Sequence, residues 1–574
     1  MKINTFYTQT QQSPYPNLWD ALIFVPIFAF FVLLASAASQ MSAPYQIGDT
    51  LPISLEYSAL PHYAVRTVLR MFIALTFSLL FSIIFGSLAA KSRKAEALII
   101  PAVDILQSVP ILGFLSITIV GFIHLFPGSL LGPECAAIFA IFTSQAWNMM
   151  LSVYGSFKSV PNDLRETTDA FGLSSWQRFW RLEMPFAMPG LLWNMMVSMS
   201  GGWFFLVASE AISVNNQRIL LPGVGSYIAV AIDQANLHAV GAAILCMLIV
   251  IVMYDQLLFR PLLAWSHKFR TDPEIETLPS SWLLSLLQRA RLISRIRSYW
   301  LTFADSIINF KWFAPKVTVP TSSILPTRLR NGLWIFAVSA LILSSLLICL
   351  QFILQSVTLP EIGEVIVLGA ITAVKIMVLI VLVSCIWVPI GVWVGMRPKA
   401  AHIVQPIAQF LAAFPANVVF PAAVLFILHF HLNTNIWTSP LMILGTQWHI
   451  LFNVIAATSM IPKDLHHTTQ NLGVKGALWW RTLALPAIFP YYVTGALTAA
   501  GGAWNASIVA EWVSWGNTEL HATGLGAYIA QHTLLGDFPR IVLGIGVMCI
   551  YVIAFNKLLW QRLYRYAQTR YQLE

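Results

Sequence analysis

Long apolar runs alternate with short polar connections along this chain, and most runs are close to the length a helix needs to cross a bilayer. They stand near 20–40, 66–90, 97–124, 133–154, 190–212 and 237–261, and again near 332–356, 365–396, 403–429, 437–458, 490–514 and 538–561. The pattern predicts twelve membrane helices in two sets of six, an all-α polytopic membrane protein. Each set is interrupted by one polar, charged stretch, Ser159 to Pro189 and Met460 to Pro490. The two stretches align without a gap, with Pro161 opposite Pro462, Gly172 opposite Gly473, Pro185 opposite Pro486 and Pro189 opposite Pro490. A repeat at constant offset, near half the chain length, marks a duplicated unit.

Each polar stretch reads as a hairpin of two short helices. Pro161 suits a first helical turn, and Gly172 suits the left-handed residue just past a helix end. Ser174 with Gln177 fits a capping box for the second helix, which Pro185 is expected to stop. Leu164, Thr168 and Phe171 fall on one helical face, a surface for a partner. The duplication extends beyond the hairpins. Trp147 meets Trp448, Gly201-Gly202-Trp203 meets Gly502-Ala503-Trp504, and Glu210 meets Glu511. Gly223-Val224-Gly225-Ser226-Tyr227-Ile228 meets Gly524-Leu525-Gly526-Ala527-Tyr528-Ile529. After a four-residue shift, Arg70 and Gly86 meet Lys375 and Gly391. Each half holds an even number of predicted spans, so the repeat is of the parallel kind.

The expected organisation is a cytoplasmic segment, first span and outer loop over 1–62, and a first unit over 63–265 with its hairpin at 159–189. A basic linker over 266–331 and a second unit over 332–574 with its hairpin at 460–490 follow. The polar lead-in of the chain is too long for a signal peptide and carries one Lys, so the first span is expected to stay uncleaved.

Composition excludes a soluble reading: 57% of residues are hydrophobic and 10% charged, and 31 Gly and 31 Pro suit membrane helices. The net charge of +9 is explained by topology. Lys and Arg gather in alternate connections: Lys91, Arg93 and Lys94; Lys158, Arg165, Arg178 and Arg181; Arg397 and Lys399; Lys463, Lys475 and Arg481; Arg562, Arg565 and Arg570. These connections, both hairpins and both termini are therefore expected on the cytoplasmic side. No nucleic-acid role follows. The linker adds Lys268, Arg270, Arg289, Arg291, Arg295, Arg297, Lys311, Lys316, Arg328 and Arg330. Its middle, 281–310, sets Trp282, Leu283, Leu286, Leu287, Leu292 and Ile296 at helical spacing, which suits a helix lying on an anionic inner leaflet. The five Cys are scattered in apolar runs and read as small core residues.

Glu166-Thr167-Thr168, three residues, Gly172, nine residues, Leu182, one residue, Met184-Pro185 resembles the EAA loop of bacterial ABC importer permeases. The second copy keeps the spacing with His467-Thr468-Thr469, Gly473, Leu483 and Leu485-Pro486, with His467 in place of the leading Glu. Glu210 and Glu511, each followed by Gly-x-Gly-x-Tyr-Ile, look like the nitrate/sulfonate/taurine branch of that family. The resemblance implies two type I importer-like permease units fused in one bacterial inner-membrane chain. It implies that the hairpins are coupling helices sitting in clefts of two separate ATP-binding cassette ATPase subunits. Asp163, Glu166, Thr167, Thr168, Gly172 and Pro185 would couple in one copy, and Asp464, His467, Thr468, Thr469, Gly473 and Pro486 in the other. An extracytoplasmic solute-binding protein would deliver the cargo, a small anion of the nitrate, sulfonate, taurine or bicarbonate type.

No Gly-x4-Gly-Lys-Ser/Thr loop, metal-ligand cluster or catalytic triad is evident, so no cofactor is expected on this chain and ATP and Mg belong to partner subunits. His466-His467 reads as a solvated pair. Polar residues in apolar spans are candidates for the translocation path: Gln145, Asn148, Asn194, Thr446, Gln447, His449, Asn453 and Asn505, with Trp203 and Trp504 beside the glycine pairs. Each could equally make a helix–helix hydrogen bond. Glu210 and Glu511 read as a matched pair across a two-fold axis, a gate or tie beside the path, or as interfacial acids facing outer water. Arg70 and Lys375 could attract an anion, but they are expected to snorkel to head groups. The competing function is an ion-gradient-driven transporter or channel with a parallel repeat, which would need buried acid–base residues in mid-span.

Overall fold

The computed structural model describes residues 17–45, 51–107, 109–214, 217–269, 281–309, 327–516 and 518–570. The first half runs α1 (Leu18–Met41), α2 (Leu60–Lys91), α3 (Arg93–Leu106), α4 (Ile111–Leu125), α5 (Leu131–Lys158) and α6 (Asn162–Ala170). It continues through α7 (Ser175–Arg178), α8 (Met184–Glu210), an antiparallel β1 (Ala211–Val214) and β2 (Gln217–Leu220), α9 (Val224–Asp233), α10 (Leu237–Tyr254) and α11 (Arg260–Ser266). The linker forms α12 (Trp282–Arg289) and α13 (Arg291–Ile308). The second half holds α14 (Thr327–Leu354), α15 (Leu359–Gly395), α16 (Pro398–Ala413), α17 (Phe420–His429), α18 (Thr434–Trp437), α19 (Trp448–Ser459), α20 (Lys463–Asn471) and α21 (Gly476–Trp479). It ends with α22 (Leu485–Ala510), β3 (Trp512–Trp515), β4 (Thr518–His521), α23 (Leu525–Leu535), α24 (Phe538–Phe555) and α25 (Gln561–Arg570). The protein is an all-α polytopic membrane protein.

Among the described residues, eight helices are long and apolar enough to cross a membrane, or ten if each of two bent pairs counts as one span. The bent pairs replace the straight spans expected at 97–124 and 403–429: α3 and α4 meet at 102°, α16 and α17 at 79°. Pro110 caps α4 and Pro415 caps the 3₁₀ turn Ala416–Val419 before α17. A proline has no amide hydrogen and holds the residue before it away from helix, so the chain turns there. The expected span 332–356 falls on α14, of which Ser339–Leu354 reads as a shorter apolar helix. The span expected at 437–458 is broken into α18, a 3₁₀ turn Ser439–Met442 and α19, whereas its counterpart α5 is continuous.

The hairpin helices also differ from expectation. Pro161 is the cap before α6 rather than a residue of its first turn. Pro185 does not stop the second hairpin helix. α7 passes through a π turn, Phe179–Glu183, into α8, one helix of 36 residues from Ser175 to Glu210. The second half repeats this with a π turn at Trp480–Ala484. The wider turn absorbs both the missing Pro185 donor and the crowding by its ring.

The halves interlock reciprocally. α4 of the first half packs on α22, α23 and α24 of the second, while α16 packs on α8 and α10. β1 lies against α23, β3 against α9, and the Gly516 N–H donates to the Ile232 carbonyl at 2.9 Å. Two large apolar cores result, and each contains residues of both halves: Ile111, Leu115 and Ile119 join the core of the second unit, and Val418 joins that of the first. Apolar side chains left exposed on α1, such as Val25, Phe28 and Phe31, are the surface a bilayer would cover.

The linker reading is corrected in one respect. Its amphipathic stretch is two helices, because Ala290 adopts an extended conformation between them. Arg270, Phe310, Lys311 and Lys316 lie outside the described residues, as do residues 1–16.

Candidate functional site: hairpins, a shared cavity and two buried ties

Each hairpin turns at a glycine in the left-handed region, Gly172 at φ +64 and Gly473 at φ +66, where a side chain would be strained. The Ser174–Gln177 capping box is formed in both directions. Asp163 and Asp464 sit in the first turns of α6 and α20, and their carbonyls accept from Thr167 and Thr468 hydroxyls. Asp163, Glu166, Thr167, Asp464, His467 and Thr468 are exposed, while Thr168 is buried against its own hairpin. Leu164 and Phe171 are exposed on the first hairpin, and Leu465 and Leu472 on the second at matching positions. Two polar hairpins thus present apolar side chains at the same two positions. Lys91, at the end of α2, bridges to Glu183 at 2.6 Å and stands 4.9 Å from the centre of the Phe179 ring, binding the first π turn to the bundle.

Above the hairpins, a cavity of about 420 Å³ lies between the halves and adjoins one of about 680 Å³. Asn148, Val197, Ser200, Ala412, His449 and Thr498 line both. Asn505 and Trp504 line the smaller cavity, Trp203, Asn194 and Asn453 the larger, and Thr446 the smaller. The broken helix of the second half borders this space: Leu441, Met442 and Gly445 are among its lining residues, as non-helical chain at membrane depth must line a cavity or be buried in protein. Asn505 also joins the halves, since its Oδ1 accepts from the Ile111 N–H at 2.6 Å. The His449 Nδ1 donates to the Thr446 carbonyl at 3.0 Å, which leaves Nε2 as the ring's other polar atom. Ser198 lines the smaller cavity with an Oγ that is buried and has no partner among the described residues. Among the described residues no Asp, Glu, Lys or Arg lines that cavity; its polar side chains are amides, hydroxyls, indoles and one imidazole.

Gln145 and Gln447 line neither cavity. Gln145 is buried against Met71, its Nε2 3.3 Å from the sulfur, and Gln447 accepts from Trp387 Nε1 at 2.9 Å. Both are helix-packing residues, the alternative their sequence position carried.

Glu210 and Glu511 are likewise off the cavities, and they do not pair with each other. Each is fully buried in its own half. Glu210 Oε1 accepts from Arg70 Nη1 and the Thr67 hydroxyl at 2.7 Å each, and its Oε2 from the Gly225 N–H at 2.6 Å. Glu511 accepts from Lys375 Nζ at 3.0 Å, Thr372 at 3.1 Å and the Gly526 N–H at 2.7 Å. The Gly-x-Gly spacing now has a cause. A Cβ at Gly223 or Gly225 would run into the Glu210 carboxylate, and one at Gly524 or Gly526 into that of Glu511. Arg70 therefore does not snorkel; it is fully buried, with Nε and Nη2 on Glu134 at 2.5 and 2.7 Å. Lys375 turns inward too, donating to the Thr523 carbonyl at 2.7 Å. A buried carboxylate outweighs the head groups because it would otherwise be left unpaired in low dielectric. The sequence reading missed Glu134, which also holds Arg66 at 2.9 Å. The available signal was a single acid at the start of a span, with Arg66 and Arg70 four residues apart on one helical face.

The family model described as "Binding-protein-dependent transport system inner membrane component" matches this chain twice, over 78–259 and 387–572. The chain is 27% identical over 168 residues to the bicarbonate transport system permease protein of Synechococcus elongatus, covering 29% of this chain and 57% of that relative. It is 22% identical over 231 residues to the nitrate import permease protein of Synechocystis sp., covering 38% of this chain and 78% of the relative. It is 23% identical over 205 residues to the trimethylamine N-oxide transport system permease protein of Pelagibacter ubique, covering 36% of this chain and 26% of the relative. The match thus spans little more than half the length of the bicarbonate relative.

Proposed function

The chain belongs to the family of binding-protein-dependent transport system inner membrane components, and from that premise we propose that it is the translocation subunit of an ATP-driven importer. Both permease units sit on one chain. Two ATP-binding cassette subunits dock on α6 and α20, and an extracytoplasmic binding protein delivers the solute. Both hairpins and both termini face the cytoplasm. The role of the chain is mechanical; ATP and Mg are held by the partners.

One observation carries this reading. In each half a single helix begins in the hairpin, lines the shared cavity and ends at the buried acid: Ser175–Glu210 and Gly476–Ala510. A displacement of the hairpin is therefore delivered to the cavity wall, and the outer end is held by Glu210 or Glu511. The π turns at Phe179–Glu183 and Trp480–Ala484 are the irregular steps where such a helix can change direction. Closure of two ATPases around the hairpins would then open the path alternately to the two sides.

The cargo is a small, hydrogen-bonding anion of the bicarbonate or nitrate type, with sulfonates and taurine in the same class. Neutral donors suit passage of such a solute. The Asn148 amide, the second amide hydrogen of Asn505 and the Ser198 hydroxyl can donate to an oxyanion, whereas the Ser200 and Thr498 hydroxyls donate to the Val197 and Thr494 carbonyls. A fixed unpaired cation in the wall would hold it too tightly to release, and Arg260, which lines the larger cavity, is paired with Asp255 at 3.0 Å. The ion-gradient alternative draws on the buried Arg70–Glu134–Glu210 cluster, but that cluster is paired, its two acids sit at helix ends and it lines neither cavity. The deciding test is uptake of labelled bicarbonate or nitrate into vesicles holding this chain with its ATPase and binding protein. ATP-dependent uptake is expected; uptake driven by an ion gradient without ATPase would overturn the reading.

A further inference from the structure

The linker helices leave a feature that transport itself does not use. α12 packs on α1 and α11, and α13 packs on α1. The amino end of α13 is fixed at the start of the first span. The buried Asp20 carboxylate accepts from the Leu292 N–H at 2.9 Å, and Asn17 Nδ2 donates to the Arg289 carbonyl at 3.1 Å. The Arg289 guanidinium lies 5.6 Å from the Trp19 ring centre. The other end reaches the first hairpin. Trp176 Nε1 donates to the Ile307 carbonyl at 3.3 Å, and Gln177 and Arg181 donate to Asn309 Oδ1 at 3.1 and 2.9 Å. A helix of 18 residues spans about 27 Å, enough to run from one span across the cytoplasmic face to a hairpin.

Between its two fixed ends, α13 turns an apolar stripe outward. Ile296, Tyr299, Trp300, Phe303 and Ile307 follow helical spacing and are all exposed, from 42% to 74%. The depth of this stripe is set by its attachment to α1, whose own exposed Val25, Phe28 and Phe31 begin one to two turns beyond Asp20. Basic groups flank it: Arg295 and Arg297 on the same helix, and Lys268, which partial desolvation and then the neighbouring Arg297 charge hold below the usual lysine range. Rings and aliphatic side chains on one face with cations beside them match the boundary between acyl chains and anionic head groups.

We propose that α13 is a strap seated in the cytoplasmic membrane surface, with Ile296, Tyr299, Trp300, Phe303 and Ile307 in lipid, and that Asn309 ties the first coupling hairpin to it. The two hairpins are then unequal: α6 and α7 move against a lipid-anchored restraint. The inference rests on the reading of the hairpins as coupling elements, but both parts of its test work without an ATPase or a transported solute.

The test uses the full chain in vesicles of phosphatidylethanolamine and phosphatidylglycerol. A photoreactive benzoylphenylalanine placed at Trp300 should give lipid adducts by mass spectrometry, as should one at Phe28 on the lipid face of α1. Lipid adducts at Phe28 with only protein adducts, or none, at Trp300 would overturn the seating. Hydrogen exchange then reads the tie. Asn309→Ala removes the acceptor of both Gln177 and Arg181; it should speed amide exchange in residues 175–183 by at least about fivefold, the factor expected for one net hydrogen bond, and leave 476–484 unchanged. Equal change in both hairpins, or none in the first, would overturn the tie.

Discussion

Two glycine pairs have opposite reasons for being glycine. Gly172 and Gly473 have open space around them and a positive φ, so their constraint is conformational. Gly225 and Gly526 have ordinary φ and no room, so theirs is steric. The pairs should respond differently. Gly172→Val and Gly473→Val should each strain a hairpin by about 1–2 kcal/mol while leaving the bundle intact, seen as weaker ATPase retention at unchanged melting temperature in detergent. Gly225→Leu should instead lower the melting temperature, because its side chain would run into the Val207 backbone of α8 and into the Glu210 carboxylate. Glu210→Ala should cost about 3 kcal/mol or more, since it unpairs part of a buried cation; a melting temperature equal to wild type would contradict the tie. These ties were half legible. The repeat marked Glu210, Glu511, Arg70 and Lys375 as equivalent positions, but spacing along a chain says nothing of which buried partner a long cation finds across the bundle, and so it suggested head groups.

Among the elements, the helix from hairpin to outer tie matters most, and its π turn makes it testable. Deleting Leu182 would leave the five-residue turn Phe179–Glu183 one residue short and let it relax to α geometry. The hairpin would then keep its orientation on α8, because a π turn accommodates its extra residue within one turn, but the helix would lose the irregular step at which it can bend. The expected outcome is an assembled complex that hydrolyses ATP with little solute uptake; full uptake would show that the turn carries no coupling. Gly172 and the capping box could be read from local chemistry, because a left-handed residue and a cap are local devices. The continuity through Pro185 could not, because a π turn hides a proline that every α-helical rule treats as a stop. The breaks before Pro110 and Pro415 were hidden in the opposite way: hydropathy continues through them although the backbone does not.

At the scale of the molecule, the duplication predicts near symmetry, and the structure departs from it where the cavity lies. α5 is continuous and α19 begins late, Asn148 stands opposite His449, and Phe205 on one side corresponds to Ala506 on the other. His449→Asn would make the pair alike, and it should alter the relative uptake of competing anions more than ATP hydrolysis; unchanged selectivity would remove His449 from the path. The central claim concerns assembly: one chain with two hairpins should seat two ATPases. The most direct measurement is the mass and composition of the complex recovered with this chain from its native membranes in mild detergent. The account predicts one copy of the chain with two ATP-binding cassette subunits. An intact, transport-competent chain that brings no ATPase with it, even after cross-linking, would contradict it.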